Sequence, residues 1–189
     1  MAEKFVAFKS REFLDVFQNS LPSVLIGEMS DVSRVIFAVD AATGVEALRQ
    51  IYASRGVVGC IVAPKRQVAD VLSHTEARQA FETGAATIES DPGASIQLVA
   101  IGAYQLAEAR RAAVRLRSQG IGVNVTVILE PGRLRSPRDR FEETFVVSDD
   151  VIGSFFPPGL PRILVSHTRP ELMTGLLRRL DEGPSLFCA

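Results

Sequence analysis

Arg34–Lys65 reads RVIFAVDAATGVEALRQIYASRGVVGCIVAPK, and its switch between apolar runs and a helical repeat decides the fold class. Val35–Val39 is a continuous apolar run bounded by Arg34 and Asp40, the pattern of a strand covered on both faces. Between Ala41 and Gly56, the residues Val45, Leu48, Ile51 and Tyr52 are spaced for one helix face. They predict a helix with that face turned inward and Gly56 closing it. VVGCIVAPK, Val57–Lys65, is a second buried strand. Strand, helix and strand within about thirty residues make a βαβ unit, expected to be parallel and right-handed.

Upstream, Ser10–Leu21 predicts a short amphipathic helix, capped by Ser10 and apolar at Phe13, Leu14, Phe17 and Leu21. Downstream, Ser73-His74-Thr75-Glu76 opens a helix with Ala77, Ala80 and Phe81 on its inner face. SDPGAS, Ser90–Ser95, is the strongest linker signal in the chain and divides it into units 1–90 and 91–189. The β/α pattern then restarts. Ile96–Gly102 is a strand, and the next helix turns Leu106, Ala109, Ala113 and Leu116 inward and stops at Gly120. Val123–Glu130 is a strand, ETFVVSDD and PRILVSHT predict two more, and ELMTGLLRRLDEG a closing helix. Leu186-Phe187-Cys188 reads as a strand that begins where the sequence ends. A truncated segment, or a neighbour that supplies the rest, explains that ending; so does a short final strand tucked into the sheet. The expectation is an α/β protein of two units with an open, mostly parallel sheet flanked by helices.

Composition narrows the function classes. The chain has 189 residues, 47% hydrophobic and 23% charged, with 21 basic and 22 acidic side chains for a net charge of -1. That balance suits a soluble globular protein and gives no electrostatic reason to expect nucleic acid or an anionic membrane as partner. No apolar run approaches the roughly 18 residues of a membrane span, and Met1–Phe13 has no signal-peptide core. Cys60 and Cys188 fit no metal or redox spacing. Cys60 reads as a buried structural thiol, and the expected location is cytoplasmic.

Phosphate-loop, dinucleotide, nucleophile-elbow and zinc-protease motifs are all missing. Cys60 with His74, His167 and Asp40 would supply the residue types of a cysteine nucleophile set. Against that, Cys60 lies inside a predicted strand, where its thiol is inert, while His74 starts a helix and His167 ends a strand. Asp149-Asp150 follow a predicted strand, as ligand-binding residues do in α/β sheets, or else cap the next segment. Arg133, Arg135, Arg138 and Arg140 make a cationic loop, either an anion site or a solvated loop partly neutralised by Asp139, Glu142 and Glu143. Lys65 and Arg66 sit at the carboxyl end of a predicted parallel strand, the edge where open α/β sheets bind ligands. A Lys there offers a point charge to phosphate and an Arg a bidentate fork; plain surface solvation is the competing reading.

Arg34–Ile88 resembles the phosphoketolases, thiamine-diphosphate enzymes of the transketolase superfamily. In that family a strand of R-V-Y-L-P-P-D-A-N type leads into a helix, then a strand ending V-I-V-A-G-K-Q, an E-A-R helix and G-A-G-I-W. The counterparts are Arg34–Ala41, Ile61-Val62-Ala63-Pro64-Lys65, Glu76-Ala77-Arg78 and Gly84–Ile88. IQLVAIGAYQLAEARRAAVRLRSQGIGVNVTVI resembles the start of the transketolase C-terminal domain, and PRILVSHTRPELMTGLL a later strand and helix of it.

The resemblance implies the tail of a pyrimidine-binding domain over 1–90, followed by a transketolase C-terminal domain over 91–189. It implies a complete enzyme that cleaves xylulose 5-phosphate or fructose 6-phosphate with inorganic phosphate, giving acetyl phosphate and an aldose phosphate. Thiamine diphosphate and Mg²⁺ would be held by N-terminal domains supplied in cis or by a partner subunit. This segment alone would be inactive and would bind neither, and the assembly would be a homodimer. Lys65 takes the place of the family lysine that meets the sugar phosphate; Pro64 replaces its glycine and Arg66 its glutamine. The competing hypothesis is a free-standing, non-catalytic interaction or regulatory module with the same C-terminal fold.

Overall fold

The computed structural model describes residues 22, 25–26, 32–168, 173–175, 177–180 and 186–188. The helix expected at 10–21 lies outside the described residues. Of the expected closing helix, residues 173–175 are helical and Arg178–Leu180 form a 3-10 turn.

The βαβ unit forms as its sequence dictates. β1 (Ser33–Phe37) and β2 (Val58–Val62) pair in parallel around α1 (Ala41–Ala53). Asp40 starts α1 with a capping box. Its Oδ1 accepts the Thr43 N–H at 2.8 Å, and Thr43 Oγ1 accepts the Asp40 N–H at 3.0 Å, so two orphan donors are satisfied at once. The helix ends at Ser54, not Gly56, although Gly56 turns the chain onward at φ +73.

The inward face of α1 is not the expected one. Ala42, Thr43, Glu46, Ala47 and Ile51 are buried, whereas Val45, Leu48 and Tyr52 are 56%, 41% and 70% exposed. Small residues set this choice. Ala47 lets the helix approach closely, and Ile51 occupies the space where a Cβ on Gly59 would stand, 2.6 Å away. A helical period fixes the spacing of a face, but which face packs depends on the shape of the opposing surface.

α2 (His74–Thr83) follows with its own capping box, Ser73 accepting from Glu76 N–H and Glu76 from Ser73 N–H. As expected, Ala77, Ala80 and Phe81 are buried. Gly84 closes the helix at φ +81, a left-handed position that suits glycine. The chain then runs through β3 (Ala85–Glu89), β4 (Ala94–Ile101), α3 (Ala103–Ser118), β5 (Gly122–Ile128), α4 (Asp149–Phe155), β6 (Arg162–Ser166) and β7 (Leu186–Cys188). The second sheet has the order β3-β5-β4-β6-β7, with β3 antiparallel to β5 and every other pair parallel.

Sequence periodicity gave no sign of β3, whose residues AATIE show no apolar alternation. It precedes the Ser90–Ser95 stretch and pairs with β5, which follows it. That stretch is a tight turn: Asp91 N–H donates to Asn124 Oδ1 at 2.7 Å, and Gly93 N–H to Asp91 Oδ1 at 2.9 Å. Ile36 and Leu98 face one core cluster, while Val35, Phe37, Val99 and Ile101 face another. Both cores therefore draw residues from both sheets.

The strand expected over 143–150 is replaced by a 3-10 turn (Glu142–Thr144) and by α4, capped by Ser148. The cause is Glu142, which is only 2% exposed. Its carboxylate forms an ion pair with Arg135, Nη2 lying 2.8 Å away, and accepts a hydrogen bond from Arg138 Nε at 2.9 Å. The backbone folds round this buried pairing instead of extending. Arg135 is itself buried, and Arg133 lies over the Phe145 ring while donating to the Glu82 carbonyl. The cationic loop is thus a packed clasp in its first half and not the solvated loop its composition suggested.

Candidate functional site

The carboxyl ends of β1, β2, β4 and β6 converge on one cleft. Phe37 and Ala38 line it from the end of β1, Val62 to Pro64 from β2, Gly102 to Gln105 from the start of α3, and His167 and Thr168 from the end of β6. Its position follows from topology. The chain leaves β4 toward β5 on one side and later returns to β6 on the other, so the carboxyl end of β4 is a switch point, where open α/β sheets form crevices.

Lys65 and Arg66 follow Pro64 at the rim of this cleft, both exposed. The Arg66 N–H donates to Tyr104 Oη at 3.2 Å, joining the β2 loop to the first turn of α3. The other end of the loop is held by Asp40, whose Oδ2 accepts the Val71 N–H at 3.0 Å and the Leu72 N–H at 2.9 Å. Burial pushes the Asp40 carboxyl up, but the hydrogen bonds from Thr43, Val71 and Leu72 outweigh it, leaving it below its ordinary 3.8. Asp40 therefore stays ionised and pins both the start of α1 and the loop that carries the two cations.

α3 begins at Gly102 with φ +104 and no side-chain cap. Its first turn lines the cleft, so the positive end of a helix faces an apolar-walled space, and Lys65 and Arg66 follow directly on the lining residue Pro64. That arrangement can hold an anion. Tyr104, Gln105 and His167 escaped the sequence reading as cleft residues. The signal for the first two was a glycine directly after a buried strand and before a strong helix; His167 gave only its place at the end of a strand.

The other sequence candidates go elsewhere. The Cys60 thiol is pushed up to about 11 by burial and is therefore a poor nucleophile. Asp40 serves as a cap, and His74 is the first residue of α2. Asp149 lies in the first turn of α4 and accepts from Arg179 Nε at 2.7 Å, a structural use of that carboxylate. Among the described residues, no group of three or more His, Cys, Asp or Glu side chains comes together in a way that could hold a metal ion. None of the described helices is long and apolar enough to cross a membrane.

No protein-family profile and no curated protein matches the sequence. Solved structures do match the fold. A transketolase from Pichia stipitis in complex with sedoheptulose 7-phosphate aligns over 82% of this chain and 20% of its own, at 18% identity and a TM-score of 0.59. A split-gene transketolase, described as an inactive beta4 tetramer, aligns over 82% of this chain and 47% of its own, at 16% identity and a TM-score of 0.60. The transketolase of Campylobacter jejuni aligns over 82% of this chain and 21% of its own, at 14% identity and a TM-score of 0.52. The chain thus spans only a part of each of these proteins. Its fold, a parallel-dominated sheet flanked by helices, is that of the C-terminal region of transketolases.

Proposed function

We propose that this chain is the C-terminal part of a phosphoketolase-like thiamine-diphosphate enzyme, with Lys65 and Arg66 meeting the phosphate of its sugar substrate. One observation carries the reading: two exposed cations stand at the carboxyl end of a parallel strand, on a loop fixed by Asp40 and Tyr104, beside an uncapped helix start. Lys65 supplies a mobile point charge and Arg66 a planar fork, the pair of donors that suits a phosphate dianion. Pinning the loop at both ends lowers the ordering cost of binding. Ser33–Phe37 pairs in parallel with Val58–Val62, which sets Lys65 three residues beyond the carboxyl end of β2.

In this reading the complete enzyme cleaves xylulose 5-phosphate or fructose 6-phosphate with inorganic phosphate, giving acetyl phosphate and an aldose phosphate. Among the described residues no group of three or more His, Cys, Asp or Glu side chains offers a metal site, and this reading assigns thiamine diphosphate and Mg²⁺ to domains outside this segment, in cis or on a partner subunit of a dimeric enzyme. This chain's own task is to bind and orient substrate phosphate at the cleft rim.

The test is an acetyl phosphate assay with thiamine diphosphate, Mg²⁺, xylulose 5-phosphate and inorganic phosphate. The isolated chain is expected to give no product, and the chain expressed with the reading frames that flank its coding segment to give turnover. Product from the isolated chain would overturn the partial-enzyme reading. Its absence from the combined preparation would leave the non-catalytic module as the better account.

A further inference from the structure

The cleft at the carboxyl ends of the strands has two unlike walls. From β1 and β2 come Phe37, Ala38, Val62, Ala63 and Pro64, none with a polar side chain. The polar side chains among the described lining residues, Tyr104, Gln105, His167 and Thr168, all come from the start of α3 and the end of β6. One wall thus belongs to the two-stranded sheet and the other to the five-stranded one. A ligand that fills this space has an apolar body on one side and hydrogen-bonding atoms on the other.

The polar wall is rich in donors. α3 has no side-chain cap at Gly102, so the N–H groups of its first turn have no intrahelical acceptor, and its positive end favours an anion. Thr168 adds an independent donor. It is only 5% exposed, and its Oγ1 lies 2.5 Å from Ser166 Oγ, which also accepts the Thr168 N–H at 3.1 Å. Two hydroxyls that share one contact use only one of their two hydrogens. The other has no acceptor among the described residues, and a donor buried this deeply is destabilising until an acceptor reaches it.

Size narrows the choice. The cavity measures about 110 Å³, less than the roughly 150 Å³ of an apolar cavity that holds benzene, so the body that fits has about four or five carbon atoms. A ketose phosphate is a poor occupant, because its hydroxyls would lie without partners against the apolar wall. We propose that the cleft binds a short aliphatic monocarboxylate. Its hydrocarbon chain lies against Phe37, Val62 and Pro64, and its carboxylate meets the first turn of α3 and the Ser166–Thr168 hydroxyl pair. This goes beyond the sugar-phosphate reading, which concerns Lys65 and Arg66 at the rim, and does not rest on it.

The test is an NMR titration of the ¹⁵N-labelled 189-residue chain with 3-methylbutanoate, set beside 3-methylbutan-1-ol and ribose 5-phosphate. The acid should move the amide resonances of Ala38, Tyr104 and Thr168 along one saturable curve, with a Kd on the order of 1 mM for so small a ligand. The alcohol keeps the hydrocarbon body but loses the charge, and should bind about tenfold more weakly. Ribose 5-phosphate should leave the Ala38 and Thr168 resonances in place. Thr168→Val keeps the shape and removes one hydroxyl, and should weaken binding of the acid about fivefold. Ala63→Phe, at an exposed wall position, should fill the cleft and abolish the shifts. If either variant fails to fold, the comparison of acid with alcohol in the parent chain decides the matter. The proposal is overturned if the acid moves no cleft resonance, as a cleft closed by another part of the chain would require. It is overturned equally if the alcohol binds as well as the acid, or if ribose 5-phosphate moves Ala38 and Thr168 at a lower concentration. That last result would give the cleft to sugar phosphate. The acetyl phosphate assay is scored separately, so the two readings fail independently.

Discussion

Replacing Asp40 by Asn tests whether one carboxylate holds both the βαβ unit and the cationic loop. Oδ1 takes the Thr43 N–H at 2.8 Å and the Thr43 hydroxyl at 2.7 Å, while Oδ2 takes the Val71 and Leu72 N–H groups at 3.0 and 2.9 Å. Asn is nearly isosteric but has one acceptor oxygen. With its amide nitrogen in the Oδ2 position, two donors face a donor. Flipped, it satisfies Val71 and Leu72 but leaves the Thr43 N–H unpaired. Hydrogen bonds to a charged group are worth about 1.5–3 kcal/mol each, and a buried unpaired donor costs about 1–3 kcal/mol. The better rotamer should therefore cost about 3 kcal/mol. For a chain of this size that lowers Tm by roughly 6–12 °C. The carboxyl's folded pKa is lowered from 3.8, so its contribution is fully present above the unfolded value and is lost as pH falls through the lower folded one. Urea unfolding followed by circular dichroism at neutral pH measures the loss, and hydrogen exchange locates it at Val71 and Leu72. A D40N variant within about 0.5 kcal/mol of the parent, with both amides still protected, would refute the reasoning.

Glu130 is fully buried and takes both Arg34 Nε and Nη2 at 2.7 Å; Glu130→Ala should cost about 3–5 kcal/mol in urea unfolding, and Arg34→Met with Glu130→Leu should recover much of it. A cost below about 1 kcal/mol would mean that this clasp does not join the two sheets. The Glu46 carboxyl is held down to about 2, first by its hydrogen bond from Arg49, against an opposing effect of burial, and then by Gln50 and by the charges of Arg49 and Arg78. A carboxyl-detected NMR titration should find its midpoint near that value, with its share of stability present above the unfolded 4.5 and fading as pH falls toward 2. Gly59→Ala places a methyl 2.6 Å from Ile51 and should destabilise by about 1–3 kcal/mol. Ile51→Val should relieve part of that loss, and an unchanged Tm in the Gly59 variant would show that α1 can move away.

The βαβ unit was legible in the sequence because its strands are apolar runs on either side of a helical repeat, and the start of α2 was legible in Ser73 and Glu76, which form its capping box. The capping box of Asp40 and Thr43 was not read. The inward face of α1 was not legible, since the absent Cβ of Gly59 and the small Ala47 choose it, and neither weighs in a hydrophobic repeat. β3 was hidden for another reason: AATIE carries no apolar alternation, and its pairing with β5 is a long-range partnership. The Arg135–Glu142 clasp was missed because charged residues in a Pro-rich loop look solvated until burial is seen. Lys65 and Arg66 were legible as a pair at a strand end. Their connection to Tyr104, and through Asp40 to the capping of α1, depends on contacts that no local pattern encodes.

The most direct test of the central claim is steady-state kinetics of Lys65→Ala in the assembled enzyme, prepared with the flanking reading frames and assayed for acetyl phosphate. Loss of one phosphate-binding charge should raise the KM for xylulose 5-phosphate by about tenfold, equivalent to about 1.4 kcal/mol, with kcat nearly unchanged and the fold intact. That pattern marks lost ground-state binding. Unchanged KM in a folded variant would contradict the account.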